Sequence, residues 1–273
     1  ADIYMQGTLL TKAGLGFPQY ANDDVVIDGL VKLGYSLEDA RDYTVAACWE
    51  FIIPRWGMEI PNIDALNYPK AVEACVEKLE TYASFDELMA DVKINMQKQA
   101  DSLIEEANKT QIMPAPFISI MMDDCIERDA DISEGSRYNN YGLHGVGLST
   151  AVDALTSIRL HIFEDKDVTA SEMKKAVQED FARNPELLHL LRYETPKFGD
   201  AEEIPDQIAC ELLLGFVDCL KGKKNNRGGI YRPGTGSAMY YMWFGEEMEA
   251  TPGGRRRGEP LETNYAPALY VRN

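Results

Sequence analysis

The chain has few of the residues that usually announce a chemistry. Its three histidines, at 144, 161 and 189, are too far apart to offer a metal-ligand spacing. The five cysteines, at 48, 75, 125, 210 and 219, include no Cys-x-x-Cys pair and are odd in number. That argues against a disulfide framework and points to a reducing cytoplasm. No run of 18 apolar residues occurs, so no membrane span is expected. Positive charge is also short, with 27 basic against 45 acidic residues and a net charge of −18. A field of that sign repels phosphate, so neither nucleic acid nor an anionic membrane is an expected partner. The N-terminus, Ala1-Asp2-Ile3-Tyr4, has no initiator Met and no basic-then-apolar leader, and the expectation is an interior piece of a longer chain.

What is present is a thiol and a carboxylate inside an apolar run. Thr44-Val45-Ala46-Ala47-Cys48-Trp49-Glu50-Phe51-Ile52-Ile53 otherwise reads as one buried strand. In an extended backbone residues i and i+2 project to the same side, so Cys48 and Glu50 would face one space while Trp49 points away. A carboxylate is rarely buried without a cavity or a partner, because desolvating its charge is costly. A lone buried Cys is most often a small hydrophobe, and Glu50 is what weighs against that reading here. Two chemistries fit the pair. Thiolate attack would need a His or Lys to activate the sulfur, brought in from a distant part of the chain. Radical chemistry would use a Cys48 thiyl to remove hydrogen from an unactivated carbon, with Glu50 taking a proton from the same substrate.

Along the chain, Val25–Leu33 reads as a helix within an N-terminal segment of short turns, and residues 54–67 as an irregular connection. Tyr68–Tyr82 is helical in pattern. Ser84, followed three residues later by Glu87, matches a capping box and opens a long amphipathic helix to about Lys109. Pro116–Met122 reads as a second buried strand, and glycines 135, 142, 145 and 147 mark loops. A helix follows at about Thr150–Phe163. Thr169 with Glu172 and Asn184 with Pro185 signal two further helix starts, and Asp206–Lys221 is another helix. A basic, glycine-rich loop (221–237) leads to a third strand candidate, Ala238–Phe244. Apolar strands alternating with helices imply an α/β fold with a mainly parallel sheet covered on both faces, in one domain over residues 1–273.

Other motifs carry less. Gly142-x-x-Gly145-x-Gly147 matches neither the dinucleotide fingerprint nor Walker A, so tight turns are the expectation, and likewise for Gly234-x-Gly236-Ser237. Gly253-Gly254-Arg255-Arg256-Arg257 could hold an anion, but in so acidic a chain it reads better as a solvated loop paired to carboxylates. Asp123-Asp124 could bind a metal, though a helix cap or hydrogen-bonded loop is the better reading.

Taken in order, these segments resemble one family, the glycyl radical enzymes related to pyruvate formate-lyase. Glu38-Asp39-Ala40-Arg41-Asp42-Tyr43, leading into Ala47-Cys48-Trp49-Glu50, resembles the stretch at their thiyl cysteine. Ser119–Glu127 is similar to an internal strand. Tyr138-Asn139-Asn140-Tyr141-Gly142 and Ala151-Val152-Asp153-Ala154-Leu155 are similar to the next loop and helix. Thr235-Gly236-Ser237-Ala238 and Thr251–Leu261 resemble late signatures. The resemblance implies part of a ten-stranded α/β barrel, built from two five-stranded parallel half-sheets set antiparallel, with the cysteine on a central loop. It implies a stored glycyl radical, and a radical-activating enzyme that installs it using S-adenosylmethionine and an iron–sulfur cluster. A homodimer of the full-length polypeptide and a cytoplasmic, anaerobic setting come with it, and no other bound cofactor or metal does.

Cys-x-Glu resembles the eliminating branch, which includes dehydratases and related lyases acting on small hydroxylated substrates. There Cys48 would abstract hydrogen from a hydroxyl-bearing carbon, Glu50 would accept the hydroxyl proton, and a neighbouring leaving group would depart. A partly buried Glu tends upward in pKa, which suits a base. Trp49 and Phe51, with Asn264, are the expected substrate-pocket residues. Trp49 stands where the family has a small aliphatic residue, Gly253 where Asp is common and Ala266 where Ser is common. The Arg-Val-x-Gly-Tyr-like radical loop is not in the sequence, so the 273 residues alone are expected to be inactive. Two alternatives stay open: an arylacetate-type radical decarboxylase using Trp49 and Phe51 as an aromatic pocket, and a non-catalytic split or degenerate subunit.

Overall fold

The computed structural model describes residues 2–16, 20–46 and 50–269. Five strands lie within them: β1 (Thr44–Ala46), β2 (Glu50–Ile52), β3 (Ile60–Asn67), β4 (Tyr141–Val146) and β5 (Tyr231–Thr235). The last three form a parallel sheet in the order β3-β4-β5, and the first two pair antiparallel on their own. Parallel strands need long crossovers, and here they are helical. Tyr68–Val76 and Phe85–Ala107 follow β3, Leu148–Ile158 follows β4, and Glu203–Leu220 precedes β5.

Period-2 alternation sorts the central strand into two faces. Tyr141 and Leu143 are fully buried in the main core, with Leu66, Leu88, Val92, Leu155 and Phe216 from the sheet and its helices. Gly142 and His144 lie on the other side, toward the β1–β2 pair. Every residue of β4 and of Leu148–Ile158 is buried, as expected for a parallel strand covered on both faces. A smaller cluster of Leu30, Tyr35, Ala40 and Ile53 packs behind the β1–β2 pair, with Phe51 and Tyr138 against it.

Helix starts were well marked. Ser84 Oγ accepts from Glu87 N–H, Thr169 and Glu172 close a complete capping box, and Pro185 occupies the first turn of Pro185–His189. The helix expected over Thr150–Phe163 begins at Leu148 and its last turn, Arg159–Glu164, widens to π geometry. The expected helix at Val25–Leu33 is Asp23–Lys32, capped by Asn22.

The strands were read less well. The single strand expected over 44–53 is two short antiparallel strands, with Ala46 opposite Glu50. Cys48 and Trp49 lie outside the described residues, and the same-side argument for an uninterrupted strand does not apply. Pro116–Met122 is not a strand. Pro116 begins the short helix Pro116–Ser119, and Asp123–Arg128 is helical as well, so the similarity of Ser119–Glu127 to an internal strand fails. Proline at the first turn of a helix sacrifices only an N–H that would be unpaired anyway. Phe117 is 83% exposed, so the run is not a buried one. Ala238–Phe244 is replaced by helix Tyr240–Glu247. Its aromatics have helical spacing, with Tyr240 packing on Trp243 and Phe244 at ring distances of 5.7 and 5.5 Å. A short apolar run does not by itself distinguish the two periods.

The real sheet strands were read as connections and glycine loops. β3 contains Pro61 and a register irregularity between Ile60 and Asp64, a disruption proline tolerates. In β4 the glycine at 142 is a close-approach residue. A Cβ there would sit 1.9 Å from the Pro61 carbonyl oxygen, which is backbone and cannot swing aside. Gly142→Ala is therefore expected to destabilise the protein by about 1–3 kcal/mol through overpacking, read as a lowered urea midpoint. An unchanged midpoint would mean that β3 and β4 are not so closely apposed.

Candidate active site

Between the β1–β2 pair and the sheet lies a cavity of about 810 Å³. Each wall comes from a different element. β2 supplies Glu50 and Phe51, the start of β3 supplies Pro61 and Asn62, β4 supplies Gly142 and His144, and β5 with the residues after it supplies Arg232 to Ala238. Glu59, Asn140, Asn264 and Tyr265 complete the lining.

Glu50, singled out from the sequence, is at the start of β2 with its side chain only 12% exposed. Opposite it, His144 Nε2 lies 3.9 Å from Glu50 Oε1. Burial holds the imidazole below its ordinary pKa, against the opposing pull of the Glu50 carboxylate and the Pro61 carbonyl. The ring is therefore neutral near pH 7. Desolvation is the largest of these effects, and the Glu50 oxygen stands 3.9 Å from the ring nitrogen, beyond hydrogen-bond reach of it.

Beneath this pair is a buried ionic network. Glu59, 1% exposed at its side chain, pairs with Arg232 at 3.0 Å and accepts from Asn140 Nδ2 at 2.9 Å. The Tyr35 hydroxyl donates to the same carboxylate oxygen and accepts from Arg232 at 2.9 Å. Burial pushes the Tyr35 phenol up, outweighing the Arg232 charge, so it keeps its proton. Arg232 also donates to the Phe51 carbonyl at 3.1 Å. One guanidinium thus ties β5 to β2 and to the residue before β3. That fixes the backbone beside Glu50.

Of the other residues expected in the site, Phe51 lines the cavity while its ring meets Tyr43 edge-on at 5.4 Å. Asn264 is at the far wall, accepting from Ser237 Oγ at 3.4 Å. Sequence reasoning did not find His144, Glu59 or Arg232 as site residues. They lie on separate elements, and only the strand topology brings them together.

The remaining motifs have structural roles. Arg256 pairs with Asp180 and Arg257 with Glu249, as expected for a loop paired to carboxylates. Arg255 departs from that picture: it is 2% exposed and donates to the carbonyls of Gly245, Glu249 and Glu259. Gly253 offers its carbonyl to the buried Lys197 at 3.1 Å. Asp123 pairs with Arg55 and Asp124 with Arg128 in the first turn of Asp123–Arg128. No group of three or more metal-binding side chains occurs among the described residues. No helix among them is long and apolar enough to cross a membrane.

Comparison with known proteins agrees with this architecture. The pyruvate formate lyase-like family model matches residues 2–245. The chain is 28% identical to a (2S)-3-sulfopropanediol dehydratase from Klebsiella oxytoca, over 94% of this chain and 34% of that protein. It is also 28% identical to a trans-4-hydroxy-L-proline dehydratase from Clostridioides difficile, over 94% of this chain and 35% of that protein. Among solved structures, the glycerol-bound B12-independent glycerol dehydratase from Clostridium butyricum superposes with a TM-score of 0.86 at 32% identity, covering 96% of this chain and 36% of that one. The chain thus spans about a third of the length of the relatives it matches, and its α/β architecture is part of their barrel. It belongs to the pyruvate formate lyase-like family.

Proposed function

We propose that this chain carries the reacting thiol and base of a glycyl radical lyase that eliminates a leaving group from a small hydroxylated substrate. The observation that carries the reading is Glu50, a nearly buried carboxylate that lines a roomy cavity opposite His144. Relatives named as dehydratases and sulfite-lyases support the reaction class. A glycyl radical, installed by a separate activating enzyme, supplies the oxidising equivalent that makes Cys48 a thiyl. Cys48 then takes hydrogen from the hydroxyl-bearing carbon. Glu50 accepts the hydroxyl proton, the neighbouring carbon–oxygen, carbon–nitrogen or carbon–sulfur bond breaks, and Cys48 returns its hydrogen to the product radical. The ionic network keeps the Glu50 wall in place, and the enclosing sheet and strand pair limit water. As in the resemblance, the active assembly is a homodimer of the full-length polypeptide.

Glu50, Asn62, His144 and Asn264 supply hydrogen-bonding groups for a hydroxylated substrate, beside an apolar wall that includes Phe51 and Pro233.

The test is a substrate screen on the full-length polypeptide that contains this chain, activated anaerobically. Glycerol, propane-1,2-diol, sulfopropanediol, isethionate and trans-4-hydroxy-L-proline are offered beside indoleacetate, and products are followed by NMR. Release of water or sulfite with formation of a carbonyl or imine is expected. Carbon dioxide from indoleacetate alone would select the decarboxylase reading. A full radical signal with no turnover of any of them would favour a non-catalytic subunit.

A further inference from the structure

We propose that His144 is a catalytic residue that, together with Glu50, grips the reacting hydroxyl: Glu50 accepts its proton while the His144 Nε2–H donates to its oxygen. The inference rests on the reading of Glu50 as the base and adds a second group to it.

The geometry is specific. Glu50 Oε1 and His144 Nε2 are 3.9 Å apart, too far for a direct hydrogen bond. An oxygen placed about 2.8 Å from each, the usual hydrogen-bond length, makes an angle of roughly a right angle between them. One hydroxyl can therefore donate to the carboxylate and accept from the imidazole at the same time. Both side chains are about nine-tenths buried and both line the cavity.

The surroundings are arranged for the ring. A Cβ at Gly236 would come 2.3 Å from His144 Nδ1 and 2.6 Å from Cε1, so glycine at 236 makes the space in which the imidazole sits. This gives the Gly234-x-Gly236 spacing a purpose that a tight turn does not. Nδ1 is buried and makes no hydrogen bond of good geometry; in the proposed arrangement the single N–H of the neutral ring is on Nε2, the nitrogen that faces Glu50.

The chemistry follows from where charge develops. When Cys48 has taken the carbon-bound hydrogen and Glu50 the hydroxyl proton, the substrate oxygen carries negative charge shared with the carbon radical. The C–H bond has become S–H, the O–H proton is on Glu50, and the leaving group has not yet departed. A fixed N–H aimed at that oxygen lowers the energy of this species more than that of the bound alcohol. Such donors typically supply about 10²–10³ in kcat.

The experiment uses the full-length polypeptide. Without activation, crystals soaked in propane-1,2-diol or glycerol should show one hydroxyl oxygen within hydrogen-bond distance of both Glu50 Oε1 and His144 Nε2. After activation, His144→Leu should lose about 10²–10³ in kcat on the substrate that wild type turns over, with the glycyl radical signal unchanged. His144→Gln, which can present an N–H near the Nε2 position, should recover much of it. A diol bound without contact to His144, a saturated crystal with nothing between the two groups, or His144→Leu at the wild-type rate would each overturn the proposal. Glu50→Gln separates the two readings. If it is inactive while His144→Leu is unimpaired, only the role of His144 falls. If it turns over normally, the base assignment falls first.

Discussion

Replacing Glu50 by glutamine is expected to remove turnover while leaving the glycyl radical signal intact. Glutamine has the same shape, and the site has one face open to the cavity, so the fold should not notice the change. What is lost is an acceptor able to become protonated. General base contributions are about 10²–10⁴ in rate, and the proposed elimination cannot develop charge on the substrate oxygen without one. His144 is not a ready substitute. Burial holds its basicity down, and the part proposed for its Nε2 is that of a donor. Electron paramagnetic resonance on the activated variant, alongside its kcat, separates loss of the base from failure to install the radical. Unchanged turnover would remove Glu50 from the mechanism.

The second large effect concerns stability. Arg232→Met should destabilise the protein by about 3–5 kcal/mol, since it leaves a carboxylate buried without its counter-charge. Glu59 is 1% exposed, so water cannot replace the guanidinium. Asn140 and Tyr35 would still donate to it, but neutral donors do not balance a buried charge. The double variant Arg232→Met with Glu59→Gln should recover most of the loss, because removing both charges removes the desolvation problem. Urea midpoints of the wild type, both single variants and the double variant close the cycle. A small effect from Arg232→Met alone, within ~0.5 kcal/mol as for an ordinary surface change, would show that the network is wetter than its exposure indicates.

What the sequence revealed depended on whether the signal was local. Ser84, Thr169 and Pro185 mark helix starts because capping is settled within four residues of chain, and those helices were found. Gly142 and Gly145 misled because a glycine needed for close packing looks the same as one needed for a turn. The contact that requires the first is with Pro61, some eighty residues earlier in the chain. Pro61 and Pro233 hid β3 and β5 in the same way, since proline is read as a breaker but tolerated at a register irregularity or an outer strand. Pro116–Met122 and Ala238–Phe244 were apolar runs too short to reveal their period.

The site divides along the same line. Glu50 was visible because an acid in an apolar run is an anomaly in its own segment. His144 and Arg232 were not, since each acquires meaning only when β4 and β5 stand beside β2. The family resemblance succeeded where individual motifs failed because it used the order of many weak segments. Its strand at Ser119–Glu127 was nevertheless a helix.

The position of the Cys48 sulfur is the most direct test of a thiol and a base acting on one substrate. A crystal structure of the full-length polypeptide measures the placement of Cys48 Sγ relative to Glu50. The expected result is Sγ open to the cavity of about 810 Å³, on the side of Glu50 and His144, with space for a few heavy atoms between them. A sulfur buried among the side chains around Leu30 and Ile53, or facing away from that cavity, would contradict it.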